Sequence, residues 1–193
     1  ETEVALTSEQ KFLFDLEGYI VLPGVLSPAE CETLSTLADE AWPRQPEDGS
    51  FRRTEAISRW GKPFLDLMDH PKVLPVLVAL IGSRLRIDHD YCIFMEKGTA
   101  AMEIHGGPRR IETDHWYHYS DGIMRNGLTV ATFALTDAEE GDGGFVCVPG
   151  SHKTNFMQHL PEAVRNHQAL PHYVRNPPMR KGDVLIFTEA LMH

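Results

Sequence analysis

A layer of helices packed against an antiparallel β-roll is the fold class that the sequence predicts, mostly β with flanking helices. Three observations predict it. Up to Ile81, apolar residues recur mainly at helical spacing, with one short strand between helices. From Leu85 onward the period changes to alternation, and short β-branched runs recur between glycine and proline turns. The chain has 193 residues, with no internal repeat and no low-complexity linker, which fits a single domain over residues 1–193 with a substantial core.

The elements follow in order. Thr7 or Ser8 caps a helix that runs to about Glu17, with Phe12, Leu13 and Leu16 at helical spacing and Gly18 at its end. Tyr19 to Leu22 is a strand closed by Pro23-Gly24. Ser27-Pro28-Ala29-Glu30 is a capping box with proline at the first helical position, and the helix it starts carries Leu34, Leu37, Ala38 and Ala41 on one face. Pro43 to Ser50 is a loop. A third helix is predicted over Lys72 to Ile81, stopped by Gly82. Strands are then predicted over Leu85 to Met95, Leu128 to Leu135, Phe145 to Val148 and Val184 to Phe187. The segment from Pro108 to Tyr119 reads as a loop.

Composition bounds the function. A net charge of −10 argues against broad binding to a phosphate backbone, which needs clustered lysine and arginine. The apolar stretch from Val73 to Ile81 is too short to span a membrane, and no signal peptide is evident at the N-terminus. Cys31, Cys92 and Cys147 are odd in number and far apart, with no CxxC pair. They predict reduced thiols in a cytoplasmic protein and exclude a zinc ribbon. Helix-face patterns leave the oligomeric state open.

Three stretches, in order along nearly the whole chain, carry a resemblance. One is Gly143-Gly144-Phe145-Val146-Cys147-Val148-Pro149-Gly150-Ser151-His152-Lys153. Another is Lys181-Gly182-Asp183-Val184-Leu185-Ile186-Phe187, followed by His193. The third is Gly18-Tyr19-Ile20-Val21-Leu22 leading to Leu26-Ser27-Pro28. Together they resemble the phytanoyl-CoA dioxygenase family of iron(II)/2-oxoglutarate oxygenases. The resemblance implies a double-stranded β-helix, the cupin-like jelly roll, with helices buttressing one sheet. It also implies Fe(2+) in the barrel mouth, 2-oxoglutarate as co-substrate and a small organic molecule as substrate.

The family holds iron with a His-x-Asp motif and a distal histidine, which leaves adjacent coordination positions open. In this sequence the counterparts are His105-Gly106-Gly107 and His193, so glycine stands where the family has its carboxylate. Three accounts remain open. Asp114 or Glu112 swings in from the following loop. Alternatively chloride fills the vacancy, as in the related halogenases, which have glycine or alanine there. Or the barrel is a non-catalytic binding module. The ligand set expected here is His105, His193 and Asp114. His152, in the Pro-Gly-Ser-His-Lys turn, is expected to be structural. Asp88 and Asp90 share one strand face and His89 the other, so they are no ready cluster.

The family's co-substrate pocket maps to Thr132 and to the strand bearing Tyr91. Its anchoring arginine follows the distal histidine, so the chain is expected to continue past His193. His115 and His118 are expected to be solvated. Trp116, Tyr117 and Tyr119 are candidates to wall an apolar pocket, and Arg109 and Arg110 are local positive charges beside the motif.

Overall fold

The structure, a computed structural model, describes residues 5–43, 52–96, 98–108 and 114–193. Helix α1 (Ser8–Glu17) begins at a capping box in which Thr7 accepts from the Gln10 amide, and ends at Gly18 in the left-handed region, φ +87°. Strand β1 (Tyr19–Leu22) follows directly. Helix α2 (Pro28–Ala41) uses the predicted box of Ser27 and Glu30 and buries Cys31, Leu34 and Ala38. Strand β2 (Arg52–Glu55), a 3-10 turn over Ile57–Trp60 and the one-turn helix α3 (Lys62–Leu65) lead to α4 (Leu74–Ile81). The remaining elements are β3 (Tyr91–Phe94), β4 (Tyr117–Ser120), β5 (Ile123–Asn126), β6 (Thr129–Phe133), α5 (Glu162–Arg165) and β7 (Val184–Thr188).

A three-stranded antiparallel sheet in the order β1-β7-β6 organises the molecule. β7 is its central strand, paired through Ile20↔Ile186 on one side and Ala131↔Ile186 on the other. Side chains alternate across it. Val184 and Ile186 face the helices with Ile20 and Leu22, joining Phe14, Leu34, Phe64 and Leu80 in the larger core. Leu185 and Phe187 face the other way, packing with Cys147 and Leu191 and against Tyr19, Val21, Val130 and Phe145. Every residue of β7 is therefore buried, as expected of a strand covered on both faces.

The balance of elements corrects the expectation of a mostly β chain. Each strand has only four or five residues, and among the described residues more lie in helix than in strand. The predicted strand from Leu85 shrinks to β3. Phe145 to Val148 forms no ladder and is held by the single bridges Cys147↔Arg175 and Val148↔Met192. Apolar alternation marks extended backbone, but a ladder also needs a long partner running alongside. Conversely, the segment predicted as a loop from Pro108 to Tyr119 ends in β4, which forms a hairpin with β5 through Asp121-Gly122, both at positive φ. An Asp-Gly pair with both residues left-handed makes the tight turn that matches strand twist. Among the described residues, no helix is long and apolar enough to cross a membrane.

Candidate metal centre

The sheet delivers one histidine through β7. After Thr188 the chain turns, with the Leu191 amide donating to the Thr188 carbonyl at 2.8 Å. It then runs extended, and Met192 bridges Gly106 on one side and Val148 on the other. His105 and His193 stand directly opposite, each amide donating to the other's carbonyl at 2.8 and 2.9 Å. Opposed residues project to the same face, and the two rings lie 4.4 Å apart between centroids. The close approach depends on Gly106, at φ +72°, where a Cβ would run into the Leu191 carbonyl and come within 2.9 Å of His193 Nδ1.

Both imidazoles have an assigned proton. His105 Nδ1 lies 3.0 Å from the Glu103 carbonyl and His193 Nδ1 lies 2.8 Å from that of Leu191. A carbonyl only accepts, so each Nδ1 donates and the Nε2 atom is the one left for another partner. Burial between Phe145 and Phe187 pushes the His193 pKa below the ordinary value. His105 and His115 push the same way, while Glu189 and the Leu191 carbonyl oppose them. His193 is therefore held neutral, the form that binds metal.

The third position is more particular. Gly107 sits at φ +94°, and a Cβ there would point to Met157 Cε at 3.0 Å and Met192 Cγ at 3.2 Å. Asp114 has a half-exposed side chain whose carboxylate is 3.9 Å from His115 Nε2. Glu112, Arg109 and Arg110 lie outside the described residues. The carboxylate that meets the distal histidine is one that sequence reasoning did not single out. Glu189 Oε2 lies 3.7 Å from His193 Nε2 and 3.9 Å from His115 Nε2, with both side chains only about 15% exposed. His115 is thus drawn into the cluster rather than solvated, whereas His118 is exposed. The signal for Glu189 was present in the alternation: Leu185, Phe187 and Glu189 form one row, and a carboxylate that ends an inward row is unusual.

The donor set suits a divalent metal of intermediate softness: two imidazoles whose Nδ1 atoms are tied to carbonyls, and a nearby carboxylate. Among the described residues, no three such side chains are already closed into a metal cluster.

Thr132 pairs with Leu185, so it belongs to the inner row of the sheet, and it is exposed there. Tyr91 begins β3 and stacks on His89 at 5.4 Å. Asp90 Oδ2 accepts the Ser58 amide at 2.7 Å, and Asp88 Oδ2 lies 2.9 Å from His89 Nδ1. Of the three aromatics considered for a pocket wall, Tyr117 donates to Asp15 and meets the His152 ring edge-on at 4.6 Å. Tyr119 and Trp116 are exposed. His152 is buried, and its Nε2 reaches the Asp15 carbonyl at 3.1 Å. It ties the Pro-Gly-Ser-His-Lys turn to α1. A separate shallow cavity of about 360 Å³, lined by Val148, Phe156, Met157, Tyr173 and Met192 among others, includes none of the four clustered side chains.

Known proteins share this fold. HygX from Streptomyces hygroscopicus, solved with nickel and 2-oxoglutarate bound, is 26% identical. Its alignment covers 97% of this chain and 79% of HygX, with a TM-score of 0.82. The same protein with nickel, 2-oxoglutarate and hygromycin B bound gives a TM-score of 0.80 at 26% identity, covering 98% of this chain and 80% of that one. An ectoine dioxygenase from Nocardia farcinica is 26% identical over 160 residues, covering 76% of this chain and 51% of the relative. The chain thus spans about half the length of the ectoine dioxygenases it matches. The family model for phytanoyl-CoA dioxygenase (PhyH) matches residues 14–193, and the chain belongs to that family.

Proposed function

We propose that this protein is an iron(II)- and 2-oxoglutarate-dependent oxygenase that hydroxylates a small organic molecule. The observation that carries the reading is the His105–His193 pair: two opposed imidazoles, each with Nδ1 tied to a carbonyl and Nε2 left to bind. The likeness to HygX, with its bound nickel and 2-oxoglutarate, supports the same cofactors here. Iron(II) with 2-oxoglutarate and dioxygen supplies the oxidising power, the oxoacid leaving as succinate and carbon dioxide.

The chain's own residues prepare the site. His105 and His193 hold the metal, and the backbone pair between them fixes their separation. Phe145 and Phe187 pack on His193 and keep water from its flank. Thr132 and Tyr91 are the proposed contacts for 2-oxoglutarate. The single bridges from Met192 to Gly106 and Val148 support a second, short-paired sheet facing β1-β7-β6, and with it a double-stranded β-helix. A small polar substrate is favoured by hygromycin B bound to HygX and by the ectoine dioxygenase relatives. The unpaired Cys31, Cys92 and Cys147 favour a cytoplasmic setting.

Halogenation is a second reading, favoured by Gly107 at the family's carboxylate position. One experiment tests both. The protein is loaded anaerobically with iron(II), given 2-oxoglutarate and oxygen, and assayed for succinate. Products from a panel of small polar molecules are then weighed with and without bromide. Succinate formation and a product heavier by one oxygen are expected. A bromide-dependent mass shift would replace hydroxylation by halogenation. Neither iron uptake nor succinate would leave a non-catalytic binding module.

A further inference from the structure

We infer that Glu189 supplies the carboxylate ligand that Gly107 lacks, so that the metal is held by His105, His193 and Glu189. The inference rests on the metal-centre reading above and deepens it.

Four observations carry it. Glu189 continues the inward row of Leu185 and Phe187, and its amide still pairs with the Leu128 carbonyl at 2.9 Å, so its side chain is aimed by the sheet. Its Oε2 lies 3.7 Å from His193 Nε2 and 3.9 Å from His115 Nε2. These gaps are too long for hydrogen bonds. The gap to His193 does lie between the two separations expected of donors sharing one ion: ligands each about 2.1 Å from a metal sit about 3 Å apart at right angles and about 4 Å apart when opposed. A charged carboxylate that is only 15% exposed is costly to keep unpaired, and a divalent cation would lower that cost.

The backbone of Gly107 leans on Glu189 itself, its amide donating to the Glu189 carbonyl at 3.3 Å. The family position is thus tied through its backbone to the turn that carries Glu189. The left-handed turn through Gly106 and Gly107 would send a side chain at 107 toward Met157 and Met192 instead. The carboxylate has moved to the turn after β7, four residues before the distal histidine. Asp114, half-exposed and nearest to His115, has no comparable aim.

The test is a titration of the intact protein with cobalt(II), without oxygen, followed by visible absorption and calorimetry. Glu189→Gln is expected to weaken cobalt(II) binding at least tenfold and to alter the absorption bands, with Glu189→Asp intermediate. Far-ultraviolet circular dichroism checks that each variant is folded. Should the variants unfold, a crystal structure of the cobalt(II)-loaded natural protein decides. Glu189 is expected within about 2.2 Å of the ion; a third ligand from Asp114, His115 or chloride instead overturns the inference. Unchanged affinity in Glu189→Gln, together with loss of binding in His105→Ala, overturns the role of Glu189 and leaves the metal centre standing. No uptake of cobalt(II) or iron(II) by the natural protein overturns both.

Discussion

Gly107 is held where glycine alone is comfortable: φ is +94°, and the methionine side chains of 157 and 192 stand within 3.2 Å of any added Cβ. Restoring the family's carboxylate by Gly107→Asp should therefore fail. We expect it to destabilise the protein by about 1–3 kcal/mol in thermal denaturation, without tightening cobalt(II) binding. His105 and His193 could be singled out in the sequence because short motifs flank them, His105-Gly106-Gly107 and Val184 to Phe187, and the structure brings their rings to 4.4 Å between centroids. Asp114 was read from proximity along the chain, and its carboxylate lies 3.9 Å from His115 Nε2. Glu189 was harder to see, because its approach to His193 depends on a turn between them. Nothing in the residue types alone says that the Thr188–Leu191 turn folds both side chains to one side.

The best-read elements are those whose signals are local. Thr7 with Gln10 and Ser27 with Glu30 form both capping boxes, and α1, β1 and α2 begin and end within a residue of expectation. Gly18 ends α1 for a local reason, its left-handed φ. A second reason is visible only in three dimensions: a Cβ there would press on His152 Nδ1 at 2.6 Å and Leu191 Cδ1 at 3.0 Å. Gly18→Ala is expected to cost more than a simple cap change, on the order of 2–3 kcal/mol, measured by urea denaturation. The β4–β5 hairpin carried a local signal in Asp121-Gly122 that its polar flanks His118, Tyr119 and Arg125 obscured. The strand expected at Phe145 to Val148 failed for a different reason. Its partners, Arg175 and Met192, come from separate segments, and one bridge to each makes no ladder.

For the molecule as a whole, acid sensitivity should be centred on His152. Burial first, and then the charge of Lys153, hold its pKa down to about 4, against the opposing pull of the Asp15 carbonyl and carboxylate; Tyr117 covers its ring. The unfolded chain takes up a proton near pH 6.5 that the folded chain refuses until about pH 4. Stability is therefore full above pH 6.5, falls as the pH drops toward 4 and is flat below it. The loss from this group is on the order of 3 kcal/mol. Melting temperatures between pH 7 and 4 should show the fall, and His152→Gln should flatten the profile while lowering it throughout. The burial of β7 on both faces has a kinetic consequence. Its amides are shielded by β1 and β6 and by two cores, so Leu185, Ile186 and Phe187 should exchange hydrogen with solvent only when the whole chain opens. Glu189 and His193 follow directly on that strand, in and just after the turn that ends it. A pair of side chains placed there is anchored to the slowest-opening part of the molecule, so it should keep its geometry whether or not a metal is bound.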